Sequence, residues 1–437
     1  MASISPIKNS LSSFPHLPLS RREFLRMGTV AAASAVLPDS IFGAPATQET
    51  YKVIEISNRP KPLIILWLQG GASHFDTFDP KPNAPAEIKG PFNSIDTTVP
   101  GVKVTDKLPL MARKMHEVAL FRNLYHRQGD HGDATRLCLA GSHERSSPTQ
   151  DSLFGKPKLK PALVALSEHI SRSNIGYTVF QANDGREPYG GIQQQDALYV
   201  QCEFRNNNVY RSPFGGSIDR DRLRNRMDLL RQLEQGAPVS GLPTQRFDEL
   251  RDRARSILDG DLNSAFDLNR VSNIERDRYG RNPMGNAALI SKRLVQAGAP
   301  LILINDGWWD SHWDLRPDLE RLVPRLDKAL AALMDDLRNE CIIVVASEFG
   351  RTPRMNNGNQ LGRDHWPDSN FMLVTGRGVT PRVVGQTRND GVITGNDGAY
   401  NAKDMGEAIL NLAGYARVVT RNGVETSERF PTLPIFR

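Results

Sequence analysis

The 437-residue chain has only three cysteines, Cys138, Cys202 and Cys341, and no Cys-x-x-Cys pair. So odd and sparse a set excludes a disulfide framework and a cysteine-based zinc or redox motif; three buried thiols are expected, with a single disulfide as the alternative outside the cytoplasm. No apolar run approaches the roughly 20 residues needed to cross a bilayer, so no membrane span is expected. Internal repeats are absent, and the 29 prolines and 35 glycines are dispersed rather than gathered into a low-complexity tract, which predicts an ordered chain. There is no block of like charge either. With 55 basic and 49 acidic residues the formal net charge is only +6, which gives a nucleic-acid partner no support. No linker-like stretch interrupts the chain, and its hydrophobic share of 39% suits one large core.

What is present begins at the N-terminus. Ser20-Arg21-Arg22-Glu23-Phe24-Leu25 fits the twin-arginine export consensus, a short apolar stretch follows up to Pro38, and Ala44-Pro45-Ala46 supplies small residues for cleavage. Residues 1–46 are therefore expected to be a signal peptide read by the twin-arginine translocase. Residues 47–437 are expected to be one domain delivered to the periplasm or secreted.

In that domain, short apolar runs at 63–68, 300–305, 342–346 and 371–374, each flanked by turn residues, predict buried strands. Leu326, Leu330, Leu333 and Leu337 share one face of a helix expected over 324–337, with Pro324 as its start. Strand, helix and strand in that order predict a crossover between parallel strands. A second helix is expected over 402–413, ending at Gly414. Residues 204–282 differ in composition and predict a helical insertion. Its leucine stripe (Leu229, Leu230, Leu233, Leu250, Ile257, Leu258) would pack on the sheet.

Parallel sheets bind ligands beyond the carboxyl ends of their strands, and the segments after these strands are rich in acids and imidazoles. After 63–68 come Gly70 and Gly71, suited to a tight turn, then His74, Asp76 and Asp79. After 300–305 comes Trp308-Trp309-Asp310-Ser311-His312-Trp313, in which Asp310 and His312 lie on one side if the backbone is extended. After 342–346 comes Ser347-Glu348-Phe349-Gly350-Arg351, followed by Arg363-Asp364-His365-Trp366. A fourth segment, Gly129-Asp130-His131-Gly132-Asp133, leads into a helix-like stretch, a place for ligands or an anion at a helix N-terminus. Four of the five tryptophans flank these motifs, as walls of a sugar-binding cleft or as loop packing.

Taken together, the twin-arginine start, GGASHFDTFDPKP (70–82), Trp309-Asp310-Ser311-His312, SEFGRTPR (347–354) and GRDHWP (362–367) resemble the domain of unknown function 1501 family. These are exported bacterial proteins often described as sulfatase-like and grouped with the alkaline phosphatase superfamily. The resemblance implies an α/β, alkaline phosphatase-like fold: a central, mostly parallel sheet between helical layers, with metals at the strand ends. It also implies hydrolysis of phosphate or sulfate esters. The superfamily's strand-end Asp-His pair looks like Glu348-Phe349 here, its last histidine like His365, and its Asp-x-x-x-His like Asp310-x-His312. Its first metal aspartate meets Gln69, with Asp76 as a substitute from further along. Where sulfatases carry a Cys or Ser nucleophile, ten residues before a glycine, this chain has His131.

The expected metal ligands are thus Asp76, Asp310, His312, Glu348 and His365, around a divalent ion for which mixed oxygen and nitrogen donors suit zinc or manganese. His131 is the expected catalytic imidazole, and Arg351 or Arg363 the expected cation beside developing negative charge. Two readings remain open: a metal-dependent hydrolase acting on sulfated or phosphorylated polysaccharide, and a non-catalytic glycan- or protein-binding protein that keeps the fold.

Overall fold

A computed structural model describes residues 49–140, 177–181, 197–201, 225, 228–229, 261–357, 361–394, 398–421 and 424–426. The chain forms two units, residues 1–49 with 421–424 and residues 50–420 with 425–437. Every feature described below belongs to the second. The expected signal segment, Cys202 and most of the expected insertion lie outside the described residues. Of its leucine stripe, Leu229 is exposed, and the other five positions fall outside the described residues.

Nine strands of the described residues build the main sheet. They are β1 (Leu63–Leu68), β2 (Val118–Tyr125), β3 (Tyr177–Gln181), β4 (Ala197–Gln201), β5 (Leu301–Asp306), β6 (Ile342–Ala346), β7 (Asn370–Gly376), β8 (Arg382–Val384) and β9 (Tyr400–Asn401). The order is β8-β2-β7-β6-β1-β5-β3-β4, with β9 also on β2. All pairings are parallel except the two made by β7. β1 lies at the centre, where Leu66 pairs with Ile304 on one side and Val345 on the other.

The apolar runs follow from burial on both faces. Successive strand residues alternate sides. Ile64, Leu66, Ile302, Ile304, Ile343 and Val345 join a core with helices α2 (Pro283–Gln296) and α3 (Leu315–Leu337). Leu63, Ile65, Leu301, Leu303, Ile342 and Val344 join a second core with α1 (His131–Ala140) and α4 (Met405–Ala413). Because neither face of β1, β5 or β6 is left for water, these strands read as nearly unbroken apolar sequence. This is the α/β architecture expected, a mostly parallel sheet between helical layers. Cys138 and Cys341 are buried free thiols. No helix of the described residues is long and apolar enough to cross a membrane.

α4 stops as expected at Gly414, which takes a left-handed conformation (φ 97°). α3 departs from expectation. It begins at Leu315, and Pro324 sits in its interior. The apolar stripe continues upstream through Leu315, Leu319, Leu322 and Val323, all buried. Burying such side chains contributes about 1.5–3 kcal/mol each, which outweighs the roughly 3 kcal/mol cost of an interior proline. Restoring an N–H there with Pro324→Ala should stabilise the protein by about 1–2 kcal/mol, measured by chemical denaturation.

Candidate metal centre

The carboxyl ends of β1, β2, β5 and β6 and the amino end of antiparallel β7 share one rim of the sheet. The polar segments meet there. β2 runs into His126, whose Nε2 donates to the Glu348 carbonyl at 2.6 Å and whose Nδ1 accepts from the Gln128 amide at 3.0 Å. Its buried ring thus ties the loop after β2 to the loop after β6. Sequence reasoning missed His126; its signal was its place directly behind a strand. Asp130 then caps α1, its carboxylate accepting from the Asp133 amide at 2.9 Å. The first residue of α1 is His131.

His131 Nδ1 lies 2.8 Å from Glu348 Oε1, and its Nε2 lies 3.3 Å from Asp310 Oδ2. Asp310 and His312 meet as expected, His312 Nε2 lying 3.0 Å from Asp310 Oδ1. Two consecutive tight turns bring this about, not extended backbone: the Ser311 amide donates to Trp309 O and the His312 amide to Asp310 O. His365 arrives on a two-residue strand, His365–Trp366, paired antiparallel with Gly350–Arg351. Its Nε2 is 3.3 Å from Asp310 Oδ1 and 3.0 Å from His312 Nε2.

The second nitrogen of each ring is held. His131 Nδ1 faces Glu348, His312 Nδ1 is 2.7 Å from Asp364 Oδ1, and His365 Nδ1 is 2.8 Å from Gly129 O. Carboxylates and carbonyls can only accept, so each Nδ1 carries the hydrogen. In neutral rings the three Nε2 lone pairs then face Asp310. Asp310 Oδ1, His312 Nε2 and His365 Nε2 form a triangle with edges of 3.0, 3.3 and 3.0 Å. Donors bound at about 2.0–2.2 Å around a tetrahedral ion stand about 3.3–3.6 Å apart, so a small expansion of the cluster would seat one. His131, Asp310 and His365 also offer donor atoms that all lie within 4.8 Å of one another. The residues fit a divalent ion, and their outer partners are the kind that orient ligating imidazoles.

The electrostatics agree. Burial alone would lower the His131 pKa, but its bonds to Asp310 and Glu348 hold it up at about 9. Burial would raise that of Asp310, yet His131, His365 and Arg351 drive it well below the carboxylate range. Without an ion, the cluster holds its positive charge on an imidazolium and a guanidinium.

The other expected site residues are placed differently. Glu348 is fully buried and supports His131 from behind, and its Oε1 also accepts from the Gly70 amide at 2.7 Å. It does not face Asp310. Asp76 is not brought to the cluster. Arg363 takes both its oxygens, Nε at 2.7 Å from Oδ2 and Nη2 at 3.2 Å from Oδ1, with both side chains buried. His74 is buried against Ser369, its pKa depressed to about 3 chiefly by burial, and Asp79 pairs with Lys81 and Arg122. Arg351 sits beneath Asp310, 2.5 Å from Oδ1. Its remaining donors go to the carbonyls of Gly70, at very short range, Gly71 at 2.7 Å and Arg363 at 2.8 Å. It is 1% exposed and meets no open space, so it braces a carboxylate and a turn. Arg363 is likewise spent. The expected glycine turn is present, with φ 118° at Gly70 and 82° at Gly71. A Cβ on Gly70 would stand 2.4 Å from the Asp310 amide nitrogen, and one on Gly71 2.5 Å from the Phe349 ring. The loop after β1 therefore contributes backbone to the site, not carboxylates.

A family model for proteins of unknown function, DUF1501, matches residues 60–421. The chain belongs to the DUF1501 family. No curated protein matches it in sequence. Among solved structures, this DUF1501 chain is similar to the C-terminal periplasmic domain of EcEptC from Escherichia coli in complex with zinc. The TM-score is 0.38 at 10% identity, covering 85% of this chain and 87% of that one. A protein in the alkaline phosphatase superfamily from Vibrio parahaemolyticus gives a TM-score of 0.35 at 13% identity, covering 92% and 76%. The soluble domain of lipooligosaccharide phosphoethanolamine transferase A from Neisseria meningitidis gives 0.39 at 8% identity, covering 84% and 91%. The chemistry of the DUF1501 site is argued from its own residues.

Two substitutions separate support from structure. Glu348→Gln keeps the shape but loosens the hold on His131, and should weaken zinc binding about 10–100-fold in a chelator competition titration. Asp76→Ala strands the buried Arg363 charge and should cost about 3–5 kcal/mol of stability, while the folded fraction keeps its zinc affinity.

Proposed function

We propose that this DUF1501 protein is an exported hydrolase of phosphate or sulfate esters working with a single divalent ion. The observation that carries the reading is the facing of three imidazole Nε2 atoms and one carboxylate, each ring pinned at its other nitrogen. Facing acceptors need positive charge among them because their lone pairs repel, and a divalent ion shared by the four groups would supply it. Asp310, His312 and His365 would hold the ion, with His131 as the fourth group. Three imidazoles with one carboxylate favour zinc over manganese. The ion's contribution would be Lewis acidity toward an ester oxygen.

The chain's own groups divide the remaining work. Glu348 and Asp364 fix the tautomers of His131 and His312. Arg351 keeps Asp310 ionised. α1 opens at the cluster with the positive end of its dipole, which favours an anionic ester group. The choice of phosphate or sulfate esters rests on the motif resemblance together with that helix end. Export rests on the twin-arginine segment at 20–25 and the small residues at 44–46, and sulfated or phosphorylated polysaccharide is the natural source of such esters outside the cell.

One observation favours the rival reading of a binding protein without turnover. The buried guanidinium of Arg351 and the raised pKa of His131 already neutralise Asp310 and Glu348, so the network is self-sufficient without an ion. Elemental analysis of protein purified without a histidine tag, paired with a panel of chromogenic phosphate and sulfate esters, decides between them. The hydrolase should carry close to one zinc or manganese per chain and turn over one ester class. Chelation should abolish that turnover, and His365→Ala should lower it at least about a hundredfold. Metal content near zero in the wild type, unchanged by added zinc, would leave only the binding reading.

A further inference from the structure

Trp313 is out of keeping with the other tryptophans. Trp67 and Trp309 are fully buried and Trp308 and Trp366 half-buried, but Trp313 is 66% exposed. Its ring centroid lies 5.6 Å from that of His312, so it stands directly beside the ligand triangle. Leu361, 47% exposed, belongs to the neighbouring segment, whose carbonyl accepts from the Leu315 amide at 3.0 Å.

The backbone that presents Trp313 is fixed at several points. Asn356 Nδ2 donates to the His312 carbonyl at 2.6 Å, and Asn356 Oδ1 accepts from the Gly362 amide at 2.8 Å. Gly362 packs so closely that a Cβ would stand 1.9 Å from His312 O and 2.6 Å from Trp313 N. The next residue, Asp314, is held in the left-handed region at φ 53°, where a non-glycine residue is strained. Asp314 occupies the N-cap of α3, yet its side chain makes no capping bond, although aspartate commonly caps there. Its exposed carboxylate is left free of the helix. Asp364 is 57% exposed and gives Oδ1 to His312. An exposed indole at the edge of the metal centre thus has one exposed carboxylate next to it in the chain, Asp314, and another, Asp364, bonded to the histidine that its ring packs beside.

We infer that Trp313 is the platform on which the ring of a hexopyranose ester stacks, with Asp314 and Asp364 accepting hydrogens from its hydroxyls. The inference deepens the hydrolase reading and rests on it for the ester group. An indole face takes either the C–H face of a sugar or an aromatic ring. The flanking carboxylates favour the sugar, because they can only accept and an aryl ring brings them no donors. The same acidic rim disfavours densely charged polyanions and favours a ring with one anionic ester. Trp313 is thus a specificity residue, acting on the sugar and not on the bond that breaks.

The test uses zinc-supplemented full-length protein and three probes, glucose 6-phosphate, glucose 6-sulfate and phenyl phosphate. Binding is read by saturation-transfer NMR and calorimetry for the wild type, Trp313→Ala, Trp313→Phe and Asp314→Asn, with metal content and thermal midpoint measured for each. At least one sugar ester should bind the wild type and weaken about tenfold or more in Trp313→Ala. Trp313→Phe should recover part of the loss, and metal content and midpoint should stay unchanged. Phenyl phosphate should lose much less than the sugar ester. Equal sugar-ester affinity in the wild type and Trp313→Ala would overturn the inference, as would equal losses for sugar and phenyl esters, or no sugar-ester binding by the wild type. A protein without metal that still binds the sugar through Trp313 would defeat the hydrolase reading alone. Metal with no sugar binding would defeat this inference alone.

Discussion

The site depends on one electrostatic constraint: acceptor atoms do not face one another at about 3 Å unless something positive lies among them. The Nε2 atoms of His312 and His365 stand 3.0 Å apart, and neither can turn away because Asp364 and Gly129 hold the opposite edges of the rings. The outer partners thus set the chemistry as firmly as the inner atoms do. They decide which nitrogen bears the hydrogen, and so which one is offered to an ion. Glu348 plays this part for His131 from a fully buried position, where its own charge is satisfied by the Gly70 amide and the imidazole.

The fold makes the gathering possible by sending four parallel strands to one rim and bringing a single antiparallel strand back from it. Each functional loop starts from a buried strand whose register is fixed on both sides, so the loops inherit the precision of the sheet. The close approaches at Gly70 and Gly362 then lock loop to loop through backbone contacts that no larger residue would allow.

Much of this was legible in the sequence, for identifiable reasons. The core strands announce themselves because both faces are covered, and an acid or imidazole just beyond such a strand is placed on the rim by topology alone. That logic put Asp310, His312, His365 and His131 on one rim, where the structure brings them together. It gave no sign that Asp76 pairs with Arg363 or that Glu348 backs His131, since a carboxylate's place in the chain does not show which partner it will meet. Arg363 lies 287 positions beyond Asp76, and only the packed structure pairs them. Arg351 misled for the same reason: a strand-end arginine reads as a substrate contact until its donors are seen to be taken by Asp310 and three backbone carbonyls. The start of α3 was misread because a local rule about proline was given more weight than an apolar stripe that runs straight past it.

The guanidinium beneath Asp310 has a wider consequence. Small domains that fold around an ion are unfolded without it, whereas here a covalently attached cation already occupies the underside of the key carboxylate. The scaffold can reach its final shape without an ion, and in the proposed hydrolase the ion would be a late addition to a finished protein. On the reading proposed above, in which residues 20–25 direct export of the folded chain, folding and loading would be separate events, free to occur on opposite sides of the membrane.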